Sequence, residues 1–378
     1  MKSTDKITIV FIVFSPQMWK SLEPVYDAIR REEDMELFLI VIDYEVTWGS
    51  ETIETSGHYW TSKYPEAIFC TANSVLPRME DIQPDFVFRQ TPYDNRYPEQ
   101  YSNVNLAKHG KLCYIPYNYN FSKKRHLEIE YAPSFLKELS ILFSDSNYIC
   151  EYVQRMATEL KLKTIDVYNV GSTAFGRLLQ EKKVRSEDRF TFLWIPRWST
   201  DNLNNHGTSF LEYYDRLIDY FDSNDNMELV IRPHPFMFEQ FIAKGVLSKE
   251  KVKSIIEEVD TRDNVRFDYA MDYLCSFQES DALIADYSSL IVEYFLTGKP
   301  ILFCENNCDW NTEPLIKEIS EVIYYTVTWD ELKGGMDDVF GGKDNAMERR
   351  VEIIQRYYKE HLSAEKKILN ILRSYRYE

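Results

Sequence analysis

The 378 residues include 44% hydrophobic and 28% charged side chains with no Gly/Ser, Pro or Gln tract, which excludes a disordered chain, a small disulfide scaffold and a coiled coil and predicts two globular domains. The 61 Asp and Glu outnumber the 44 Lys and Arg, and a net charge of −17 excludes a duplex nucleic-acid binder, which needs a broad basic face. Cys70, Cys113, Cys150, Cys275, Cys304 and Cys308 match no zinc or thioredoxin-type spacing and read as reduced, mostly buried thiols of a cytosolic protein.

Ile7–Phe14 follows Lys2 and Lys6 and imitates a signal peptide, but it is short and lacks a small-residue cleavage site, so it reads as a buried first strand. A helix over Trp19–Arg31 and a strand over Glu36–Asp43 complete a βαβ unit, the opening of a doubly wound α/β domain. Strands follow at Asp85–Phe88, Leu112–Ile115, Leu139–Phe143 and Ile165–Asn169. Between them, Lys123, Lys124, Arg125 and His126 form a small basic cluster that reads as a solvated loop. The polar stretch Gln180–Arg189 has the composition of a linker, after which strands recur at Phe190–Ile195, Met227–Ile231, Asn264–Phe267, Ala282–Ala285 and Pro300–Phe303. Residues 345–376 have a charged, helix-period pattern without Gly or Pro. The expected organisation is an N-terminal domain over 1–180, a C-terminal domain over 181–345, and a helix over 346–378 packing across both. Two such domains place a cleft at the carboxyl ends of both sets of strands, where open α/β sheets bind ligands.

Several candidate segments lie at those strand ends. Asp281-Ala-Leu-Ile-Ala-Asp286-Tyr-Ser288-Ser289 is a buried strand running into a hydroxyl-rich turn that opens a helix, suited either to cradling a phosphate or simply to capping. Arg232-Pro-His234-Pro235 delivers a phosphate-binding fork and an acid–base group between stiffening prolines, or a satisfied histidine in a rigid turn. Pro196-Arg197-Trp198-Ser199-Thr200 adds a cation, an aromatic plane and two hydroxyls. In the first domain, Gln90-Thr-Pro-Tyr93-Asp94 and Tyr114-Ile-Pro116-Tyr117-Asn118-Tyr-Asn120 suit hydrogen bonding to a polyol or sugar acceptor, as ordinary polar loops also do. His109 precedes the second of these strands and more often would be a surface residue. Asn169-Val-Gly171-Ser172 reads as a tight turn near the domain junction, and His206 as a lid residue or a bystander. No HExxH, GxSxG, Walker A, GxGxxG or ligand-presenting DxD turn occurs.

Taken in order, the Pro-Arg-Trp loop at 196–198, the Arg-Pro-His-Pro turn at 232–235, the element at 280–289 and Lys299-Pro300 resemble the CDP-glycerol glycerophosphotransferase family of teichoic-acid and capsule synthesis. The resemblance is strongest over 190–303, and Tyr114-Ile-Pro116-Tyr117 is similar to shorter bacterial members. It implies a GT-B fold, two Rossmann-like domains facing a central cleft, with the nucleotide on the C-terminal side. Arg232, His234, Ser288 and Ser289 would hold the donor diphosphate with Arg197, Trp198 and Thr200 beside them. Asp286 would lie near the glycerol or pyrophosphate, and His234 and Asp286 would be the catalytic residues. Tyr93, Asp94, His109, Tyr117 and Asn118 would face the acceptor. The larger polymerases place a His-Gly pair after an N-terminal-domain strand as a base. Here the comparable strand end reads Ile115-Pro116-Tyr117, leaving the base unassigned, with His109 and Asp94 as candidates.

The implied reaction moves glycerol phosphate from CDP-glycerol to a hydroxyl of a glycan or lipid-linked acceptor and releases CMP. No resident cofactor or nucleic-acid partner is implied and no metal-binding residue is assigned, with a divalent-metal requirement left open. The expected location is the cytoplasm, with transient contact at the inner membrane face. The competing readings are a nucleotide-sugar glycosyltransferase, a CDP-ribitol transferase and a non-catalytic scaffold of the same fold.

Overall fold

The computed structural model describes residues 6–43, 45–48, 51–71, 73–120, 125–162, 165–180, 189–201, 207–270, 272–304 and 310–376. Lys123, Lys124, His206, Cys308 and most of the linker therefore lie outside the described residues. Cys70, Cys113, Cys150 and Cys304 are buried thiols, and Cys275 is exposed.

The chain opens with β1 (Ile7–Val13), and every one of its residues is buried. Alternate side chains point to opposite faces of a strand, so Ile9 and Phe11 pack into one core layer while Val10 and Ile12 pack into the other. Each such side chain contributes roughly 1.5–3 kcal/mol by leaving water. β1 is an interior strand of a seven-stranded sheet completed by β2 (Met35–Ile42), β5 (Ile68–Cys70), β6 (Phe86–Arg89), β7 (Lys111–Tyr114), β8 (Ile141–Ser144) and β9 (Asp166–Asn169), in the order β5-β2-β1-β6-β7-β8-β9. Every pairing in it is parallel. An antiparallel hairpin of β3 (Glu45–Trp48) and β4 (Glu51–Thr55) stands apart from it.

The helix expected over Trp19–Arg31 is two short helices, Pro16–Trp19 and Glu23–Ile29. Pro24 explains the break, because it lacks an N–H and its ring clashes with the preceding turn, so it is tolerated only at a helix start. Gly110 is required just before β7: a Cβ there would approach the Pro84 carbonyl oxygen to 2.7 Å.

The second sheet holds β10 (Phe190–Ile195), β11 (Met227–Ile231), β12 (Val265–Phe267), β13 (Ala282–Ala285), β14 (Ile301–Phe303) and β15 (Tyr324–Tyr325), in the order β12-β11-β10-β13-β14-β15 and again entirely parallel. Two parallel α/β units are the GT-B-type architecture that the resemblance implies. Lys299 serves this scaffold: its ammonium caps the carbonyls of Phe277, Gln278 and Ser280 at the end of the helix Leu274–Glu279.

The C-terminal pattern forms two helices, Met347–His361 and Ala364–Ser374, rather than the single helix expected; they are separated at Ser363, whose φ of 57° no continuous helix accepts. The first carries Ile353 into the core of the second domain. The second carries Ile368, Leu369 and Leu372 into the core of the first, and Arg373 pairs there with Glu32 and Asp34. At the junction His361 accepts a hydrogen bond from the Ser172 amide at 2.8 Å, beside the positive-φ turn at Gly171.

Candidate active site

Three neighbouring strands of the second sheet, β11, β10 and β13, end in the loops Arg232-Pro-His-Pro, Pro-Arg197-Trp and Asp286-Tyr-Ser-Ser. Parallel strands align their carboxyl ends, so these loops converge on one side of the sheet. There they meet residues that follow β1, β6 and β7 of the first sheet around one cleft of about 440 Å³. Arg197, Arg232, His234, Ser288 and Ser289 line one wall, and Tyr93, Tyr117, Asn118 and Glu130 line the other.

Arg232 is held rigid rather than free to swing. Its guanidinium donates to Asp268 at 2.6 Å and to the Ala270 carbonyl at 2.7 Å. Burial pushes the Asp268 carboxyl up, but Arg232, Ser276 and the Ala270 amide outweigh it and hold the group below the usual carboxylate range. Arg197 lies over the Tyr287 ring at 4.8 Å, a cation–π contact that sets its direction. Together these residues offer the cleft two positioned guanidinium groups and two serine hydroxyls, the donor types that suit a diphosphate.

The His234 amide donates to the Pro196 carbonyl at 3.2 Å, joining the β11 and β10 loops. Its Nδ1 accepts the Phe236 amide at 3.2 Å, which assigns the ring proton to Nε2. Burial, with the Arg197 charge second, lowers its pKa to about 4, so the imidazole is neutral at pH 7 and acts as a hydrogen-bond donor.

Asp286 does not line the cleft. It is buried, and its Oδ2 accepts the Arg197 amide at 2.7 Å, the Ser209 amide at 2.9 Å and the Thr208 hydroxyl at 3.3 Å. The carboxylate therefore turns beneath the loops and pins β13 to β10, a structural post instead of the substrate contact expected for it. Thr200 is also absent from the lining. Trp198 stands at the rim, 38% exposed, with its ring 6.2 Å from that of His234.

On the opposite wall Tyr93 and Tyr117 hydrogen-bond to each other, and Asn118 lines the cleft beside them. The two candidate bases lie elsewhere. Asp94 is engaged by the buried Arg89 at 2.7 Å and by the Asn103 amide at 2.9 Å, and His109 faces Glu80 at 3.6 Å; neither lines the cleft.

Residues that the sequence reading passed over complete the site. Ser15, Gln17 and Lys20 follow β1, and Gln90 fixes their path by accepting the Phe14 and Ser15 amides and donating to the Ser15 carbonyl. Lys20 crosses the cleft to pair with the buried Glu293, and its ammonium lies 4.8 Å from the centre of the Tyr273 ring. Glu130 is buried against the cleft, and its signal is faint: Leu127 and Tyr131, three residues before and one after, are both buried, so the helical period turns position 130 inward. Among the described residues no group of three or more His, Cys, Asp and Glu is placed to hold a metal ion.

Residues 165–312 match the family model described as CDP-glycerol:poly(glycerophosphate) glycerophosphotransferase, a span that includes all three loops of the C-terminal wall. The resemblance read from those loops is borne out over that span. No curated protein matches the chain. Among solved structures, the Staphylococcus aureus MnaA–UDP complex is 12% identical over 98% of this chain and 96% of its own, with a TM-score of 0.61. UDP-GlcNAc 2-epimerase from Neisseria meningitidis bound to UDP-GlcNAc is 11% identical over 97% and 99%, at 0.59. The wall teichoic acid polymerase TagF, in a variant soaked with CDPG, is 13% identical over 100% of this chain and 91% of its own, at 0.60. At these identities the likeness shows the fold alone.

Proposed function

Taking the glycerophosphotransferase match over residues 165–312 as premise, we propose that this protein transfers glycerol phosphate from CDP-glycerol to a hydroxyl of a glycan or lipid-linked acceptor, releasing CMP, in teichoic-acid or capsule-type polymer synthesis. One observation carries the reading: the loops inside the matched span are those that present Arg197, Arg232, His234, Ser288 and Ser289 to the cleft.

In the proposed reaction the acceptor oxygen attacks the β-phosphorus, which bears the glycerol, and the bond to the CMP phosphate breaks. Arg197 and Arg232 offset the growing charge on the leaving group. Ser288 and Ser289 orient the phosphoryl oxygens, and the Nε2–H of His234 donates to the phosphate without giving up its proton. Such positioned donors act mainly by orientation and electrostatics. No helix among the described residues is long and apolar enough to cross a membrane. A lipid-linked acceptor would be met by transient contact at the membrane face.

The test is a thermal-shift comparison of CDP-glycerol, CDP-ribitol, CMP, UDP and UDP-sugars on the wild type and on Ser289→Ala. Stabilisation of the wild type by cytidine diphosphate alcohols, weakened in the variant, is expected. A response to uridine nucleotides alone would replace the donor, and no response to any of them would leave a scaffold.

A further inference from the structure

Resting on the transferase reading, a further inference concerns the acceptor's proton. An attacking hydroxyl must lose it, and among the described residues lining the C-terminal wall none is placed to take it, since His234 is neutral with Nδ1 engaged by the Phe236 amide. We propose that Glu130, across the cleft from the phosphate-binding loops, is the general base for the acceptor hydroxyl.

Glu130 ends the helix Arg125–Glu130, is 3% exposed, and lines the same cleft as His234, Ser288 and Ser289. Its Oε1 accepts the Tyr114 hydroxyl at 2.7 Å, and Asn120 also hydrogen-bonds the carboxyl. These two bonds fix its orientation. No ion pair to it forms among the described residues.

The titratable groups on which its charge acts are Tyr114 on β7, Tyr93 after β6, Tyr117 after β7, Tyr131 beyond its own helix, and Asp145 after β8. All five are pushed up by burial, and the four tyrosines, raised from an ordinary value already well above neutrality, stay protonated there. Burial raises Glu130 to about 7, which poises the carboxyl to exchange a proton in the working range.

As the acceptor oxygen bonds to the β-phosphorus, its proton passes to the Glu130 carboxylate. The phosphorus–oxygen bond to CMP breaks with its electron pair remaining on CMP. Glu130 then releases the proton to solvent.

The experiment follows CMP release from CDP-glycerol, with a short synthetic oligo(glycerol phosphate) as acceptor, between pH 5.5 and 8.5. The wild-type kcat should fall about tenfold per unit below pH 7, a limb that His234, with a pKa near 4, does not produce. Glu130→Gln should lose that limb and on the order of 10²-fold or more in kcat, while keeping the thermal shift with CDP-glycerol. Glu130→Asp should retain part of the rate with the limb displaced. A Gln variant within threefold of wild type, or one that keeps the limb, overturns the base while leaving the transferase reading intact. Should the Gln variant not fold, a flat wild-type profile overturns it equally. A wild type that neither releases CMP nor is stabilised by CDP-glycerol overturns both.

Discussion

On the C-terminal side of the cleft, three loops follow three adjacent strands, and each presents its polar groups through short, stiff turns braced from beneath. On the N-terminal side the wall is assembled from segments after β1, β6 and β7 together with the end of a helix, and its residues include three tyrosines and two asparagines with one buried carboxyl. The contrast follows from what each wall has to hold. A diphosphate has fixed geometry and charge, which reward positioned cations and hydroxyls at strand ends. A polyol or glycan acceptor offers neutral hydroxyls, which side chains from scattered segments can satisfy. The first kind of wall leaves a local sequence signature and the second does not.

The sharpest way to break this comparison is to remove the brace beneath the C-terminal wall. Asp286→Ala would leave the Arg197 and Ser209 amides and the Thr208 hydroxyl without their acceptor. We expect a loss of about 3 kcal/mol in urea unfolding, together with loss of nucleotide binding. An Asp286→Ala protein of wild-type stability would show that the loops hold themselves.

The seam between the walls gives the next effect. Burial, with the Lys367 charge second, lowers the pKa of His361 to about 4 from an ordinary 6.5, so the folded protein takes up that proton less readily than the unfolded chain. Its contribution is complete above pH 6.5 and is lost as pH falls toward 4, up to ~3 kcal/mol. His361→Gln should lack that part of the acid destabilisation, read as the difference in unfolding midpoints between pH 7 and pH 4.5. An equal drop in variant and wild type would remove His361 from the account.

The smallest effect belongs to the acceptor wall. Tyr117→Phe should raise the KM for an oligo(glycerol phosphate) acceptor a few-fold, the worth of one hydrogen bond of about 1 kcal/mol, without changing the CDP-glycerol thermal shift. A loss of donor binding instead would mean that the two walls share one ligand.

The central strands were legible in the sequence because continuous apolar runs such as Ile7–Val13 and Ala282–Ala285 have no other use than burial on both faces. The edge strands β5 and β15, of three and two residues, were not, since the sheet rather than their own pattern defines them. The positions of His234, Ser288 and Ser289 followed from strand ends. The direction of Asp286 did not, because sequence gives the strand's end but not whether the next side chain turns toward ligand or scaffold. Glu130 left only a faint trace for a related reason: the period of its helix turns it inward, but its place at the cleft depends on the loop at 117–120 and on strands far away in the chain.

The return of the last helix, Ala364–Ser374, to the first domain has a consequence for synthesis. The layer that receives Ile9 and Phe11 also needs Ile368, Leu369 and Leu372, so the N-terminal domain lacks part of its interior until the whole second sheet has been translated. The domain made first is thus the one finished last, and during elongation the nascent β1 region should expose a hydrophobic face that a chaperone can bind.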